Sequence, residues 1–443
     1  MSNRFDAVHR AEPVEVRWLF RIYNGLVVLA VPVILLFIAL RWRRRFFSKG
    51  FDRWSQRWGH LPEEQLIRIR AKGPWWWVHA VSLGEVKAIE TFLRKAPTHA
   101  RAQILLSVVT PEAIAYAVEN KVAQEIIAAP IDLPWVVRRV FKEVRPQIFI
   151  SVESEFWPNL LREAKRSGAR VALINGRLSE HSFKSYSHVR WIMQALWGCF
   201  DLWAVRQEQD AVRFRSLGVP TEKIQVTGNL KYDSPIGSGS QESAQSPKRS
   251  VPVVVLGSTR EGEESQLLPV LQKLRAQWPE LKVIWAPRHL DRISEIETLL
   301  TAQGLSCRRK SLPGAADQNG HPPANILWDT MGDLLEAYRQ ADVAVVGGSF
   351  VPKGGQNPIE PAALRLPVVF GPSMDNFHGI ADALVESGGA RQVSLTELSE
   401  CLNDLLKNPE LRRTMGDKAR RAVENEQGAT QRTLTLLEKL VRA

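Results

Sequence analysis

A chain of 443 residues is too long for one hydrophobic core and implies two or three domains. Its 44% hydrophobic and 24% charged residues exclude a disordered chain. The net charge of +12 favours anionic partners, whether nucleic acid, phosphorylated metabolites or anionic lipid.

The first element is an apolar run, Leu26 to Leu40, extended upstream to Ile22 with Tyr23, Asn24 and Gly25 as interruptions. That span approaches the ~20 residues a bilayer helix needs. Arg41, Arg43, Arg44, Arg45, Lys49, Arg53 and Arg57 follow, interleaved with Trp42, Phe46, Phe47, Trp54 and Trp58. In a cleaved signal peptide the basic residues precede the apolar run, so the order here predicts a retained anchor whose basic flank stays cytoplasmic. Beside such a span the basic flank suits an anionic membrane surface better than nucleic acid.

From Trp75 onward short apolar runs alternate with amphipathic helical stretches. Strands are predicted at 75–80, 104–109, 126–129, 148–152, 171–174, 202–205 and 224–226. Such alternation is the mark of a doubly wound parallel sheet. Residues 234–250, rich in Ser, Gly and Pro, read as a linker. Beyond it strands recur at 253–256, 283–285, 325–327, 343–346 and 367–370, and charged helices close the chain from about residue 395. The expected organisation is an anchor and basic flank over 1–60, α/β domains over 61–233 and 251–443, and a ligand cleft at the carboxyl ends of both sheets.

The unusual motifs fall where strands end. After the first strand, Ser82 to Glu85 reads as a capping box, or as a helix start bearing a proton acceptor at Glu85. Glu153 and Glu155 beside Phe156, Trp157 and Pro158 form an acidic pair that is costly unless used or paired, or else an ordinary surface turn. Lys231, ahead of the linker, could offset charge on a leaving phosphate or be plainly solvated. In the second domain Gly257 to Glu264 reads as helix capping, and Arg288 as a phosphate or base contact. Asp329 to Asp333 forms a loop whose amides could hold a pyrimidine, with a helix start at Asp329 as the other reading. Gly347, Gly348 and Ser349 lead through Gly354 and Gly355 to a helix opening at Pro358 with Glu360 in its first turn. That suits amides facing a phosphate and a carboxylate facing a ribose, or an ordinary turn.

Three scattered cysteines, Cys199, Cys307 and Cys401, argue against a disulfide framework and a zinc site. The chain contains no P-loop, no Gly-x-Gly-x-x-Gly, no Gly-x-Ser-x-Gly elbow and no Asp-x-Asp pair. No cofactor or metal is expected.

Taken in order, these motifs resemble those of the Kdo (3-deoxy-D-manno-octulosonic acid) transferases of lipopolysaccharide synthesis, membrane-anchored glycosyltransferases of the GT-B fold. The likeness spans nearly the whole chain: Ser82–Glu85, Glu153–Asn159, Asn175–Glu180, Asn229–Asp233, Gly257–Glu264, Ala286–His289, Asp329–Leu334, Gly347–Ala363, Gly371–Phe377 and Asn425–Gln431. It implies two Rossmann-like doubly wound domains facing a cleft. It implies Glu85 as general base, with Glu153 and Lys231 stabilising the transition state. It further implies that Pro287, Arg288, Met331, Gly332, Asp333, Asn357, Pro358, Ile359 and Glu360 bind the CMP part of the donor CMP-Kdo. The acceptor it implies is lipid IVA at the inner membrane, with the catalytic domains cytoplasmic. Gln356 and Arg260 stand where the family usually has His, and Val109–Glu112 replace a Thr/Gly-rich turn. Two other readings stay open at this stage. One is another sugar-nucleotide enzyme of this fold, such as a UDP-sugar epimerase; the other is a non-catalytic lipid-binding membrane module.

Overall fold

The computed structural model describes residues 18–30, 53–233, 251–312 and 324–442. By its internal contacts the chain divides into unit 1, residues 1–234 with 427–443, and unit 2, residues 235–426.

Unit 1 contains β1 (Trp75–Ala80), β2 (Gln103–Val108), β3 (Glu125–Ala128), β4 (Ile148–Val152), β5 (Arg170–Gly176), β6 (Leu202–Val205) and β7 (Ile224–Val226). They pair in the order β3-β2-β1-β4-β5-β6-β7, every pair parallel. β1 shows why both faces are covered. Its six residues are all buried, with Trp75 and Trp77 in one apolar cluster and Trp76, Val78 and Ala80 in another. A strand alternates sides with period two, so a strand buried along its whole length requires helices above and below. The order reverses between β1 and β4, and open α/β sheets bind ligands at such a switch point. Glu85 follows β1 and Glu153 follows β4.

Unit 2 repeats the plan with β8 (Val253–Thr259), β9 (Lys282–Pro287), β10 (Cys307–Arg309), β11 (Asn325–Leu327), β12 (Val343–Val346), β13 (Val368–Phe370) and β14 (Ala390–Gln392). Their order is β10-β11-β9-β8-β12-β13-β14, again all parallel. All twelve predicted strands are present. The strands β10 and β14 were not predicted, being three-residue edge strands that carry arginines where apolar residues would signal them.

One boundary is corrected. The expectation placed 251–443 in a single domain, but the last helix, Ala429–Arg442, buries Ala429, Leu434 and Leu437 in the unit 1 core. The carboxylate of Asp233 accepts from the Gly428 N–H at 2.7 Å and from the Thr430 N–H, holding the start of that helix beside the last residues before 234. The predicted linker, 234–250, lies outside the described residues.

At the N-terminus, residues 18–30 are helical. Phe20 joins the unit 1 core beneath the Arg162 guanidinium, 4.2 Å from its ring centroid. Tyr23 donates to Asp132 (2.9 Å), and the side-chain amide of Asn159 donates to that of Asn24 (2.8 Å). Asp132 also accepts from the backbone N–H groups of Asn159 (3.0 Å) and Leu160 (2.8 Å), capping the helix Pro158–Arg166 from outside. Trp18, Ile22, Leu26 and Leu29 are 57%, 60%, 61% and 73% exposed, forming an apolar stripe at helical spacing. The remainder of the predicted anchor, 31–40, and the flank to residue 52 lie outside the described residues. Among the described residues no helix is long and apolar enough to cross a membrane.

In unit 2 the glycine-rich loop after β12 does not present its amides as its sequence suggested. The N–H groups of Gly348 (2.6 Å), Ser349 (3.0 Å) and Phe350 (2.9 Å) donate to the fully buried carboxylate of Glu263, which also accepts from the Arg260 N–H (3.0 Å). A Cβ at Gly347 would lie 2.6 Å from the Thr259 backbone, so that glycine serves a backbone crossing. The nest is filled from within, which corrects the phosphate reading of Gly347–Ser349. An amide in place of this carboxylate sets NH2 against backbone donors. Glu263→Gln is expected to cost about 3 kcal/mol, from lost charge-assisted hydrogen bonds, read as a lower urea midpoint.

Candidate active site

Unit 1 gathers the acids and the lysine that the motifs singled out. Ser82 is the N-cap of the helix Leu83–Ala88, accepting from the Glu85 N–H at 3.3 Å. Glu85 folds back, accepting from the Val81 N–H (2.8 Å) and the Ser82 hydroxyl (2.9 Å). The Ser82 cap is therefore formed, though Glu85 reaches the Val81 N–H rather than the Ser82 N–H of a full capping box, and the carboxylate lies at the end of β1, 9% exposed. Burial pushes the Glu85 pKa up to about 7; the two hydrogen bonds pull against this, while Glu153 and Glu155 add to it. A carboxylate with that pKa can exchange a proton near neutral pH.

The acidic motif is no surface turn. Glu153 directly follows β4 at φ 59°, in the left-handed region, where its N–H donates to Ile174 O at 3.0 Å. Its carboxylate forms a close ion pair with Arg206, which follows β6. Glu155 accepts from the Trp157 indole at 2.9 Å, and burial raises its pKa. Phe156 is fixed by Tyr186, Phe200 and Trp203, with ring centroids 5.8 to 6.1 Å away. Pro158 then opens the helix, as expected.

Lys231 sits in the 3-10 turn Leu230–Asp233. That turn is pinned by the Leu230 N–H donating to Asn175 Oδ1 at 3.0 Å. Burial lowers the Lys231 pKa to about 8; Arg206 and Arg177 lower it further, against the opposing charges of Glu153 and Glu85. Glu85, Glu153 and Lys231 thus share one electrostatic neighbourhood at the ends of β1, β4 and β7. Two members of it were not singled out as site residues, Arg177, although it lies within Asn175–Glu180, and Arg206, though an arginine directly after a strand is the signal that picked out Arg288. Nor was His79 singled out. This buried β1 residue has Nδ1 2.9 Å from the Ser107 hydroxyl, and burial lowers its pKa to about 4, keeping the ring neutral.

Unit 2 holds the other expected residues. Pro287 ends β9, and the Arg288 N–H donates to Thr259 O at 2.9 Å, leaving its side chain half-buried. Arg260 Nη1 lies 3.0 Å from His289 Nε2, and burial, then the charges of Arg260 and Arg288, lower the His289 pKa. Met331 is 71% exposed beside Gly332 at φ 92°. Asp333 staples its own loop, accepting from Lys310, the Thr330 hydroxyl (2.6 Å) and the Trp328 indole (2.9 Å). Burial opposes ionisation there, yet these donors hold its pKa at about 2. Asp329 starts no helix; it accepts from the Ser311 N–H at 2.9 Å. Asn357 accepts from the Ile359 N–H (3.1 Å) and donates to Glu360 (3.1 Å), which lies in the first turn of the helix Ile359–Ala363. Glu264 is a structural acid, gripped by Arg292 at 2.8 and 3.0 Å. Among the described residues no group of three or more His, Cys, Asp or Glu side chains could hold a metal ion.

Comparison with known proteins bears on both units. Residues 52–234 match the family described as 3-Deoxy-D-manno-octulosonic-acid transferase (kdotransferase). The 3-deoxy-D-manno-octulosonic acid transferase of Haemophilus influenzae is 31% identical over 440 residues, spanning 95% of this chain and 98% of that protein. The one from Bordetella pertussis is 33% identical over 378 residues, 82% and 86% of the two chains. The UDP-GlcNAc 2-epimerase from Neisseria meningitidis, solved bound to UDP-GlcNAc, superposes with a TM-score of 0.55 over 83% of this chain and all of its own. At 13% identity that likeness concerns the fold alone. The identity to the transferases runs through both units and nearly end to end, and the chain belongs to the 3-deoxy-D-manno-octulosonic acid transferase family.

Proposed function

We propose that the protein transfers Kdo from CMP-Kdo to lipid IVA, releasing CMP, in lipopolysaccharide synthesis. Family membership supports the reaction class. The observation that carries the assignment of roles is the Glu85 carboxylate, held at a strand end with its pKa near 7 beside Lys231. Glu85 takes the proton of an acceptor hydroxyl, whose oxygen attacks the anomeric carbon of Kdo as the bond to the CMP phosphate breaks. Glu153 and Lys231 offset the charge that develops, and CMP leaves with the bonding electron pair. In unit 2, Pro287 and Arg288, Met331 to Asp333, and Asn357 to Glu360 bind the CMP portion. For Asp333, whose carboxylate is engaged within its loop, the contribution falls to the backbone.

The helix at 18–30 supports a role for the anchor. Its polar face is bonded to unit 1 while Trp18, Ile22, Leu26 and Leu29 face outward, continuous in sequence with the apolar run to Leu40 and the Arg/Trp flank. The protein is accordingly read as attached to the inner membrane on its cytoplasmic side, where an anionic lipid acceptor resides.

Glu85→Gln is expected to lower kcat by about 10² to 10⁴, as loss of a general base does, while CMP binding by calorimetry is retained. A carboxyl whose folded pKa is raised stabilises the fold when protonated and loses that contribution as pH rises toward 7. The variant's melting temperature at pH 8 should therefore equal or exceed the parent's. An active Glu85→Gln enzyme would remove Glu85 from the role. The kcat/KM profile should be bell-shaped, rising through pH ~7 as Glu85 ionises and falling above pH ~8 as Lys231 loses its proton; steady-state CMP release from pH 5 to 10 checks it. Ile22→Glu with Leu26→Glu should reduce sedimentation with phosphatidylglycerol vesicles and leave the circular dichroism spectrum unchanged.

A further inference from the structure

Arg206 reaches across three strand ends. It follows β6 directly, and its backbone N–H donates to Gly176 O on β5 at 3.0 Å. Its guanidinium donates through Nε to Asn175 O at 3.2 Å and through Nη2 to the Glu153 carboxylate beyond β4. Glu153 and Asn175 both sit in the left-handed region, at φ 59° and 53°. Side chains rarely adopt that region unless the surroundings hold them there. The ion pair is largely out of water, with the Arg206 side chain 11% and the Glu153 side chain 19% exposed. A pair so buried contributes less stability than well-packed apolar residues would, so its presence at a switch point asks for a use other than holding the fold.

We infer that Arg206 is a positioning residue for Kdo transfer, fixing the Glu153 carboxylate through one guanidinium N–H while a second N–H is anchored on the Asn175 carbonyl, and setting the charge that Lys231 faces. The inference rests on the roles given above to Glu153 and Lys231. A guanidinium is planar, so its Nε and Nη2 donors keep a fixed spacing that a lysine ammonium cannot reproduce. The contact to Asn175 O orients the plane, and the other end of the fork then decides where the Glu153 carboxylate stands. Asn175 is itself held, since its Oδ1 accepts the Leu230 N–H of the turn that carries Lys231. Arg206 is therefore linked to the acid directly and to the lysine's turn through one residue.

Charge carries the second half of the inference. The groups whose charges act on Lys231 are Arg206, Glu153, Arg177 and Glu85; those acting on Arg206 are Glu153, Arg177 and Asp210; those acting on Glu85 are Glu153 and Glu155. Arg206 is the largest of the charges that disfavour a protonated Lys231. Removing it moves Lys231 deprotonation to higher pH, an effect that an arginine remote from Lys231 would not have.

Steady-state kinetics with CMP-Kdo and lipid IVA on the full chain, for Arg206→Gln, Arg206→Lys, Glu153→Gln and the double variant Arg206→Gln/Glu153→Gln, test this. Arg206→Gln is expected to lower kcat by at least about tenfold with KM for CMP-Kdo within about twofold, the signature of an interaction made in the transition state. Its alkaline limb moves to higher pH. Arg206→Lys keeps the limb in place, because the charge remains, and recovers part of kcat. The double variant is no slower than Glu153→Gln alone, because the two residues act as one unit. Parental kcat and an unmoved pH profile in folded Arg206→Gln and Arg206→Lys overturn the inference. Should Arg206→Gln not fold, Arg206→Lys decides alone, and parental kcat in it overturns the paired contact with Glu153 and Asn175. A parent that transfers no Kdo, or a fully active Glu153→Gln, overturns the functional reading itself and is thereby distinguished from failure of the Arg206 inference.

Discussion

Burying a carboxylate at the carboxyl end of a parallel sheet is the constraint on which both units turn. Strands that all point one way deliver their loops to one edge, and burial there raises an acid's pKa against whatever hydrogen-bond donors it is given. In unit 2 Glu263 accepts four backbone N–H groups, and Glu264 accepts Arg292 and the Thr259 hydroxyl, so the two acids hold loops together. Burial still raises the Glu263 pKa. In unit 1 Glu85 has two donors, which do not offset its burial either. What distinguishes Glu85 is its place at the switch point, where the charges of Glu153 and Lys231 act with it.

Burial also links Lys231 with Glu85. Burial raises the acid's pKa and lowers the lysine's, so the two approach each other near 7 and 8. Their mutual attraction favours the ionised pair, which is the form that the roles proposed for Glu85 and Lys231 need. The surrounding charges are Glu153 and Glu155 on one side and Arg177 and Arg206 on the other. Glu153 acts on both Glu85 and Lys231, so the contact that Arg206 makes with it bears on both.

Much of this was legible in the sequence because short, mainly apolar runs such as Trp75–Ala80 read the same whichever helices cover them. The Ser82 cap was legible too, but the full capping box is not formed, since Glu85 returns to the Val81 N–H and the Ser82 hydroxyl; those bonds hold its carboxylate at the strand end. What local spacing could not reveal was contact between distant segments. Glu263 looked like an ordinary first-turn acid, yet it lies 85 residues from the Gly348 amide it accepts. Arg206 lies 53 residues from Glu153 and beyond an intervening strand. The closing helix looked like a continuation of the second domain because nothing in its amphipathic pattern says which core it enters. Asp233 decides that, by capping its start.

The acidic motif ends in a second tether whose consequence reaches the membrane reading. Asp132 caps the helix Pro158–Arg166, which begins one residue after Trp157, and the same carboxylate accepts from Tyr23 on the N-terminal helix. Glu155 is in turn bonded to the Trp157 indole. A chain of direct hydrogen bonds and adjacent residues therefore runs from residues 18–30, through Asp132 and the start of that helix, to the acids beyond β4. An N-terminal segment serving only as a tether needs no such bonds, because a flexible linker confines a domain to a surface equally well. Bonds made through a buried carboxylate fix orientation as well as distance. If the apolar stripe Trp18–Leu29 lies on a bilayer, the unit 1 strand ends are held at a set attitude to that surface, which a bilayer-resident acceptor would require of the residues that deprotonate it.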